Sequence, residues 1–283
     1  MLDPGNRPDT VARGSLPVVD LAGSRALITG ATGGIGIAIA RRLHGAGATV
    51  LISGRKAEVL DGLAGALGER VEVLVADLAD REQVAALPGR AGKVDVLVAN
   101  AALPASGQIA AFEPDEIDRA LDVNLRAPIM LARDLAPAMA ERGYGHLVFV
   151  SSMSGKAASP GSALYSATKF GLRGFAQGLS EDLHSVGVGV STVFPGFISD
   201  AGMFHDSGVK LPRYIATRTP DQVAKGVVKA IESGKLELDV APFSLRAGTA
   251  VASLAPAALA AIQRRLGAHD ISADIARGQA DKR

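Results

Sequence analysis

Tyr165 and Lys169 stand four positions apart in Tyr165-Ser166-Ala167-Thr168-Lys169, the spacing that puts two side chains on one face of a helix. An ammonium held beside a phenol favours the phenolate and lowers a pKa that is ordinarily about 10. A tyrosine tuned in this way passes a proton to or from an oxygen at neutral pH. Upstream, the apolar run His146-Leu147-Val148-Phe149-Val150 reads as a strand ending in Ser151-Ser152, where a hydroxyl can emerge at the strand's carboxyl end. A surface tyrosine one turn from a lysine produces the same spacing, so the pair gains weight only from the rest of the chain.

A second stretch supplies the weight. Thr29-Gly30-Ala31-Thr32-Gly33-Gly34-Ile35-Gly36 follows a short apolar run, Arg25 to Thr29, and opens a helical one, Ile35 to Ala46. Gly30 and Gly34 are expected to provide positive φ and close backbone approach, and Gly36 tight packing of the helix on the sheet. The helix N-terminus then offers free N–H groups to a pyrophosphate, with the Thr32 hydroxyl as a further donor. No Gly-Lys-Ser/Thr follows, so the turn is not a nucleoside-triphosphate loop. Beyond the second strand, where a domain choosing NAD places an acid for the ribose hydroxyl, the chain reads Ser53-Gly54-Arg55-Lys56. An arginine fork suits a 2′-phosphate. The expected cofactor is therefore NADP(H), preferred over NAD(H).

The elements that must position these groups alternate regularly. Strands are expected at 25–29, 48–53, 71–76, 95–99, 146–150, 189–194 and 236–240. Helices are expected at 35–46, 57–67, about 114–141 with Pro128 and Pro137 bending or breaking it, and 163–185. Another opens at Thr219-Pro220-Asp221-Gln222, a capping box with proline at the first helical position. Such βα alternation predicts an α/β fold: one doubly wound domain, a mainly parallel seven-stranded sheet with helices on both faces and ligands at the strands' carboxyl ends. Three segments follow: an N-terminal arm (1–20), the main domain (21–243) with a substrate lid at about 197–218, and a helical C-terminal extension (244–283). The extension holds an uncharged run from Ala247 to Gln263 and ends, from about Asp270, in residues expected to be mobile.

Composition excludes other classes. With 30 basic and 29 acidic residues, net charge +1, there is no electrostatic case for nucleic acid. The absence of cysteine removes a disulfide framework, a thiol nucleophile and thiolate metal sites. Five dispersed histidines, none at i, i+4 spacing with another ligand, give no reason to expect a metal. The start lacks an apolar signal region, and a cytoplasmic location is expected.

The glycine turn, the Asn100-Ala101 pair after the fourth strand, Asn124, and Ser152 thirteen residues before Tyr165-x-x-x-Lys169 together resemble the short-chain dehydrogenase/reductase family, over about Leu21 to Val240. The resemblance implies a catalytic tetrad of Asn124, Ser152, Tyr165 and Lys169. Tyr165 would be the general acid in carbonyl reduction and Ser152 a donor to the substrate oxygen. Lys169 would depress the tyrosine pKa and hold the nicotinamide ribose, and Asn124 would anchor a water that links Lys169 to solvent. It implies cofactor contacts from Gly30, Thr32, Gly34, Ile35, Gly36 and Arg55, from Asp77 and Leu78 at the adenine, and from Asn100 and Ala101. Tyr165, Lys169, Pro195, Gly196 and Ile198 complete the set at the nicotinamide end.

Two positions depart from the family's pattern: Ala102 replaces a glycine, and Asp200 replaces a threonine that bonds the carboxamide. The resemblance also implies a homodimer or homotetramer, and helix 163–185 carries a small-residue stripe of Ala167, Gly171, Gly174 and Gly178.

The expected activity is hydride transfer between NADP(H) and the carbonyl or secondary alcohol of a largely apolar small molecule. Apolarity is read from Phe197, Met203, Phe204, Leu211 and Tyr214 in the lid. The alternatives are a related enzyme resting on a membrane surface through residues 245–266 and acting on lipid-like substrates, and a dinucleotide-binding sensor without turnover.

Overall fold

The computed structural model describes residues 19–203, 205, 208–209, 216–255, 257, 261 and 268–279. Most of the expected N-terminal arm, and Phe204, Leu211 and Tyr214 of the expected lid, lie outside the described residues.

Seven parallel strands form one sheet in the order β3-β2-β1-β4-β5-β6-β7. They are β1 (Arg25–Thr29), β2 (Thr49–Gly54), β3 (Val71–Val75), β4 (Val96–Ala99), β5 (Gly145–Val150), β6 (Val188–Pro195) and β7 (Glu237–Val240). The strand order reverses between β1 and β4, and the crevice there is where doubly wound sheets take their ligands.

Alternation along the strands builds two cores. Leu27, Leu51, Leu97, Leu147 and Phe149 face one way, and Ile28, Ile52, Val98, Val148 and Val150 the other. On the first face lie α3 (Arg81–Ala91), α5 (Ala127–Arg142) and α6 (Ala163–His184). On the second lie α1 (Gly34–Gly45), α2 (Ala57–Leu67) and α7 (Pro220–Ser233). The capping box at Thr219 forms, with the Thr219 hydroxyl accepting from Gln222 N and the Gln222 side chain from Thr219 N.

Three features differ from the sequence expectations. The helix α3 has no counterpart among them; Asp80 caps it by accepting from the N–H groups of Glu82 and Gln83, and Pro88 sits inside it. The single helix expected over 114–141 is α4 (Pro114–Leu121) and α5, joined by a π-helical turn, Asp122–Arg126. There Ala127 N donates five residues back to Asp122 O. The break precedes Pro128, which sits in the first turn of α5 and brings no N–H to the Asn124 carbonyl four residues before it. Residues 270–279, part of the C-terminal stretch expected to be mobile, lie in a helix instead. After α8 (Phe243–Leu254), α9 (Ala268–Gln279) returns to the sheet's carboxyl edge and buries Gln279.

Among the described residues no helix is long and apolar enough to cross a membrane, and no cluster of histidine and acidic side chains could hold a metal ion. His146 is fully buried and its Nε2 meets the Ser191 hydroxyl at 2.9 Å. Burial pushes its pKa down to about 4, so the ring is neutral in the core.

Candidate active site

The carboxyl ends of β1 and β4 are stitched together by side chains. Thr29 Oγ1 accepts from the backbone N–H groups of Asn100 and Ala101, each at 3.1 Å. The Asn100 amide donates back to Thr29 O at 3.0 Å and to Gly30 O at 3.3 Å. This closeness fixes the residue at position 30: Gly30 has φ +68°, and an added Cβ would stand 2.7 Å from Ala101 Cα. Gly36 meets the same turn from the helix side, where a Cβ would lie 2.1 Å from Gly30 O.

Gly34 differs from expectation. It opens α1 without positive φ, and its need for glycine comes from the segment after β6, since a Cβ there would overlap the Ala201 side chain. No side chain caps α1, so the N–H groups of its first turn remain open to an anion. The turn therefore fits a dinucleotide's pyrophosphate: the cradle is one that side chains would fill, and its donors are uncapped.

Thr32 packs beside Gly54 at the end of β2, with its Cγ2 2.8 Å from where a Gly54 Cβ would be. Arg55 follows directly, exposed, and forms no ion pair among the described residues. Asp77, after β3, is oriented by Ala79 N–H, which donates to its Oδ1 at 3.0 Å, while Leu78 is buried in the core below.

Beyond β5 the chain bends through a 3₁₀ turn, Met153–Gly155, which presses against α6. Gly155 permits this, because a Cβ would stand 2.6 Å from Ser151 Oγ and 2.7 Å from Lys169 O. Ser151 Oγ donates to Lys169 O at 3.2 Å, so that hydroxyl is spent on holding the strand end to the helix. Ser152 accepts from Ser154 N at 3.1 Å and hydrogen-bonds the Tyr165 phenol. Lys156 anchors the far end of the turn, its Nζ 2.6 Å from Asp239 and 2.9 Å from Glu237 and 4.1 Å above the Phe194 ring.

Tyr165 is half-buried and Lys169 almost wholly buried on α6. Lys169 Nζ donates to Val150 O at 3.1 Å and lies 5.6 Å from the centre of the Tyr165 ring. The expected depression of the tyrosine pKa is not what this site shows. Burial pushes Tyr165 up to about 12, and the Ser152 hydrogen bond only partly offsets it. Burial likewise pushes Lys169 down to about 8. Desolvation of both groups outweighs their proximity, which spacing alone does not reveal.

Asn124 sits in the π-helical turn with both amide atoms engaged: Oδ1 accepts from Leu103 N at 2.6 Å and Nδ2 donates to Leu103 O at 3.0 Å. The side chain thus holds the segment after β4 in place.

Ile35, Asn100, Ser152, Tyr165, Lys169, Pro195, Gly196 and Ile198 all border one cavity of about 430 Å³ at the sheet's carboxyl edge. Ala102 lines it too, whereas Asp200 is exposed, in the left-handed region at φ +67°, with its carboxylate bound by the Ser199 hydroxyl. Phe197 and Met203 of the expected lid are on the wall. Sequence reasoning missed Met153, Leu245 and Gln279, which line it as well. The one available signal for Gln279 was its spacing of four from Ile275, another wall residue, near the end of the tail.

A parallel sheet with an uncapped glycine turn at its switch point, and a Tyr–Lys–Ser group on the same cavity, defines a dinucleotide-dependent oxidoreductase. The short chain dehydrogenase family model matches residues 24–210, and the chain belongs to that family. It is 39% identical over 181 residues to the 3-oxoacyl-[acyl-carrier-protein] reductase FabG of Rickettsia conorii, covering 64% of this chain and 75% of that protein. Among solved structures it resembles a short-chain dehydrogenase from Sphingobium yanoikuyae in complex with NADPH. That match has a TM-score of 0.74 and 27% identity, over 83% of this chain and 94% of the other. It also resembles the 3-ketoacyl-(acyl-carrier-protein) reductase of Brucella melitensis complexed with NADH. There the TM-score is 0.70 and the identity 27%, over 78% and 97% of the two chains.

Proposed function

We propose that the chain reduces the ketone of a largely apolar small molecule with NADPH, using Ser152, Tyr165 and Lys169 as catalytic residues and Asn124 as a positioning residue. The observation that carries this reading is the meeting of the Tyr165 phenol, the Ser152 hydroxyl and the Lys169 ammonium at one cavity beside the glycine turn. When bound, NADPH supplies the hydride to the carbonyl carbon. Tyr165 gives its proton to the carbonyl oxygen as charge builds there, and Ser152 donates a hydrogen bond to the same oxygen. A phenol with a pKa near 12 is protonated at neutral pH, the state a proton donor needs, whereas alcohol oxidation needs the phenolate.

For the cofactor, the first turn of α1 with Gly30, Gly34, Ile35, Gly36 and Thr32 would hold the pyrophosphate, and Arg55 the 2′-phosphate that distinguishes NADPH from NADH. Asp77 and Leu78 would flank the adenine. Asn100, Ala101, Lys169, Pro195, Gly196 and Ile198 would enclose the nicotinamide riboside. The 3-oxoacyl-[acyl-carrier-protein] named for the FabG relative offers one ketone of this kind. The stripe of Ala167, Gly171, Gly174 and Gly178 is exposed along α6 beside Phe170, which is 42% exposed. That open face supports a homodimer or homotetramer built on it.

The test is NADPH consumption with a panel of ketones, followed across pH. Turnover is expected with at least one apolar ketone and is expected to fall as pH rises through about 8, where Lys169 loses its proton. A profile flat across that range would remove Lys169 from the mechanism, and no consumption with any ketone would count against reduction.

A further inference from the structure

Gln279 stands at the end of α9, only 4% exposed, on the wall of the same cavity. Its Nε2 donates to Met203 O at 3.0 Å. A carbonyl only accepts, so this bond fixes which way round the amide lies and leaves Oε1 directed elsewhere. Oε1 is buried and has no hydrogen-bond partner among the described residues. Buried acceptors are almost always paired, and leaving one unpaired is costly.

Two other described side-chain atoms share that condition, and neither resembles it. Asp95 Oδ1 faces the cations of Lys93 at 3.2 Å and Arg142 at 3.7 Å, and Thr192 Oγ1 lies within β6 away from the cavity. Gln279 is the one residue of the three that lines the cavity.

We propose that Gln279 is a specificity-determining residue whose Oε1 accepts a hydrogen bond from a neutral O–H or N–H group of the substrate, at a point remote from the carbonyl being reduced. The proposal rests on the ketone-reductase reading. Remoteness follows from placement: the reacting oxygen must meet Ser152 and Tyr165, at the β5–α6 side of the cavity, whereas Gln279 arrives on the C-terminal helix. Neutrality follows from the walls. Among the described lining residues Lys169 is the one charged side chain and none is a carboxylate, while Met153, Phe197, Leu245 and Ile275 are apolar. The substrate class is thus an uncharged ketone with an apolar body and a distal hydroxyl or amide.

The probes are ω-hydroxy-2-alkanones of graded chain length, each paired with its ω-methyl ether, which keeps the oxygen and loses the donor. Dissociation constants are measured on the NADPH complex of Tyr165→Phe, so that binding is read without turnover, and kcat/KM on the unsubstituted protein. At one chain length the alcohol is expected to bind about tenfold tighter than its ether, the worth of one hydrogen bond to a buried acceptor. Gln279→Met should bring that ratio close to one. Gln279→Glu keeps an acceptor oxygen but loses the donor to Met203, and should retain the preference.

A ratio near one at every chain length in the parent complex overturns the proposal. So does an equal loss for alcohol and ether in Gln279→Met, which would make the residue a strut for Met203. Equal losses accompanied by weaker NADPH binding would assign Oε1 to the cofactor, which also overturns it. A preserved alcohol preference in a protein that turns over no ketone upholds the Gln279 contact and refutes the reductase reading, so the two fail separately.

Discussion

Tyr165→Phe is expected to lower kcat for ketone reduction by about a hundredfold to ten-thousandfold, the range lost when a positioned proton donor is removed. The substitution deletes one oxygen and leaves the ring in its cluster with Phe112 and Leu164, so the fold should be undisturbed. NADPH affinity should stay within about threefold, because the hydroxyl is one of many contacts and the glycine turn bears the phosphates. Kinetics and cofactor-fluorescence titration of the same preparation separate the two effects. Lost turnover with intact binding is the expected pair. Retained turnover would mean that the proton reaches the carbonyl oxygen by another route, and lost NADPH binding would mean that the cavity is not the cofactor's.

Arg55→Ala carries the second large effect. Arg55 is exposed, pairs with no acid among the described residues, and follows the Gly54 that packs against Thr32 of the glycine turn. A guanidinium hydrogen-bonded to a phosphate is worth about 1.5–3 kcal/mol, so the NADPH dissociation constant should rise about tenfold to a hundredfold. NADH, which has a bare hydroxyl at that position, should lose less than about threefold. Thermal stability should not change, since no contact in the fold is removed. Equal losses for both cofactors would make Arg55 a surface charge with no say in selectivity.

Much of the fold is legible because a parallel sheet buried on both faces writes itself as short apolar runs separated by helical ones. All seven strand positions fall within a residue of β1 to β7 for that reason, and the capping box marks α7 unambiguously. The helix α3 was hidden by Pro88-Gly89, which argue against a helix. The Asp80 cap and the buried stripe of Val84, Leu87 and Ala91 nonetheless sustain it. The π-helical turn has no local signature beyond Pro128, because its register is set by how Asn124 grips Leu103 across the site.

At the site itself, residue types and spacing located Ser152, Tyr165 and Lys169, and Gly30 with Gly36 declared a close approach. What spacing does not carry is burial. It is desolvation that raises the tyrosine and lowers the lysine, and only the folded environment supplies it. The role of α9 was illegible for a similar reason. A short polar helix at the end of a chain gives no sign of where it docks, and the contact of Gln279 with Met203 spans 76 positions.

The most direct test of the central claim follows the hydride. The protein is incubated with a ketone it consumes and with NADPH deuterated at C4 of the dihydronicotinamide, in separate preparations for each face of the ring, and the alcohol product is analysed by mass spectrometry. One of the two preparations should yield alcohol carrying one deuterium on the carbinol carbon, with matching loss of label from the cofactor. Product free of deuterium from both would contradict direct hydride transfer, and with it the account of this cavity as a reductase site.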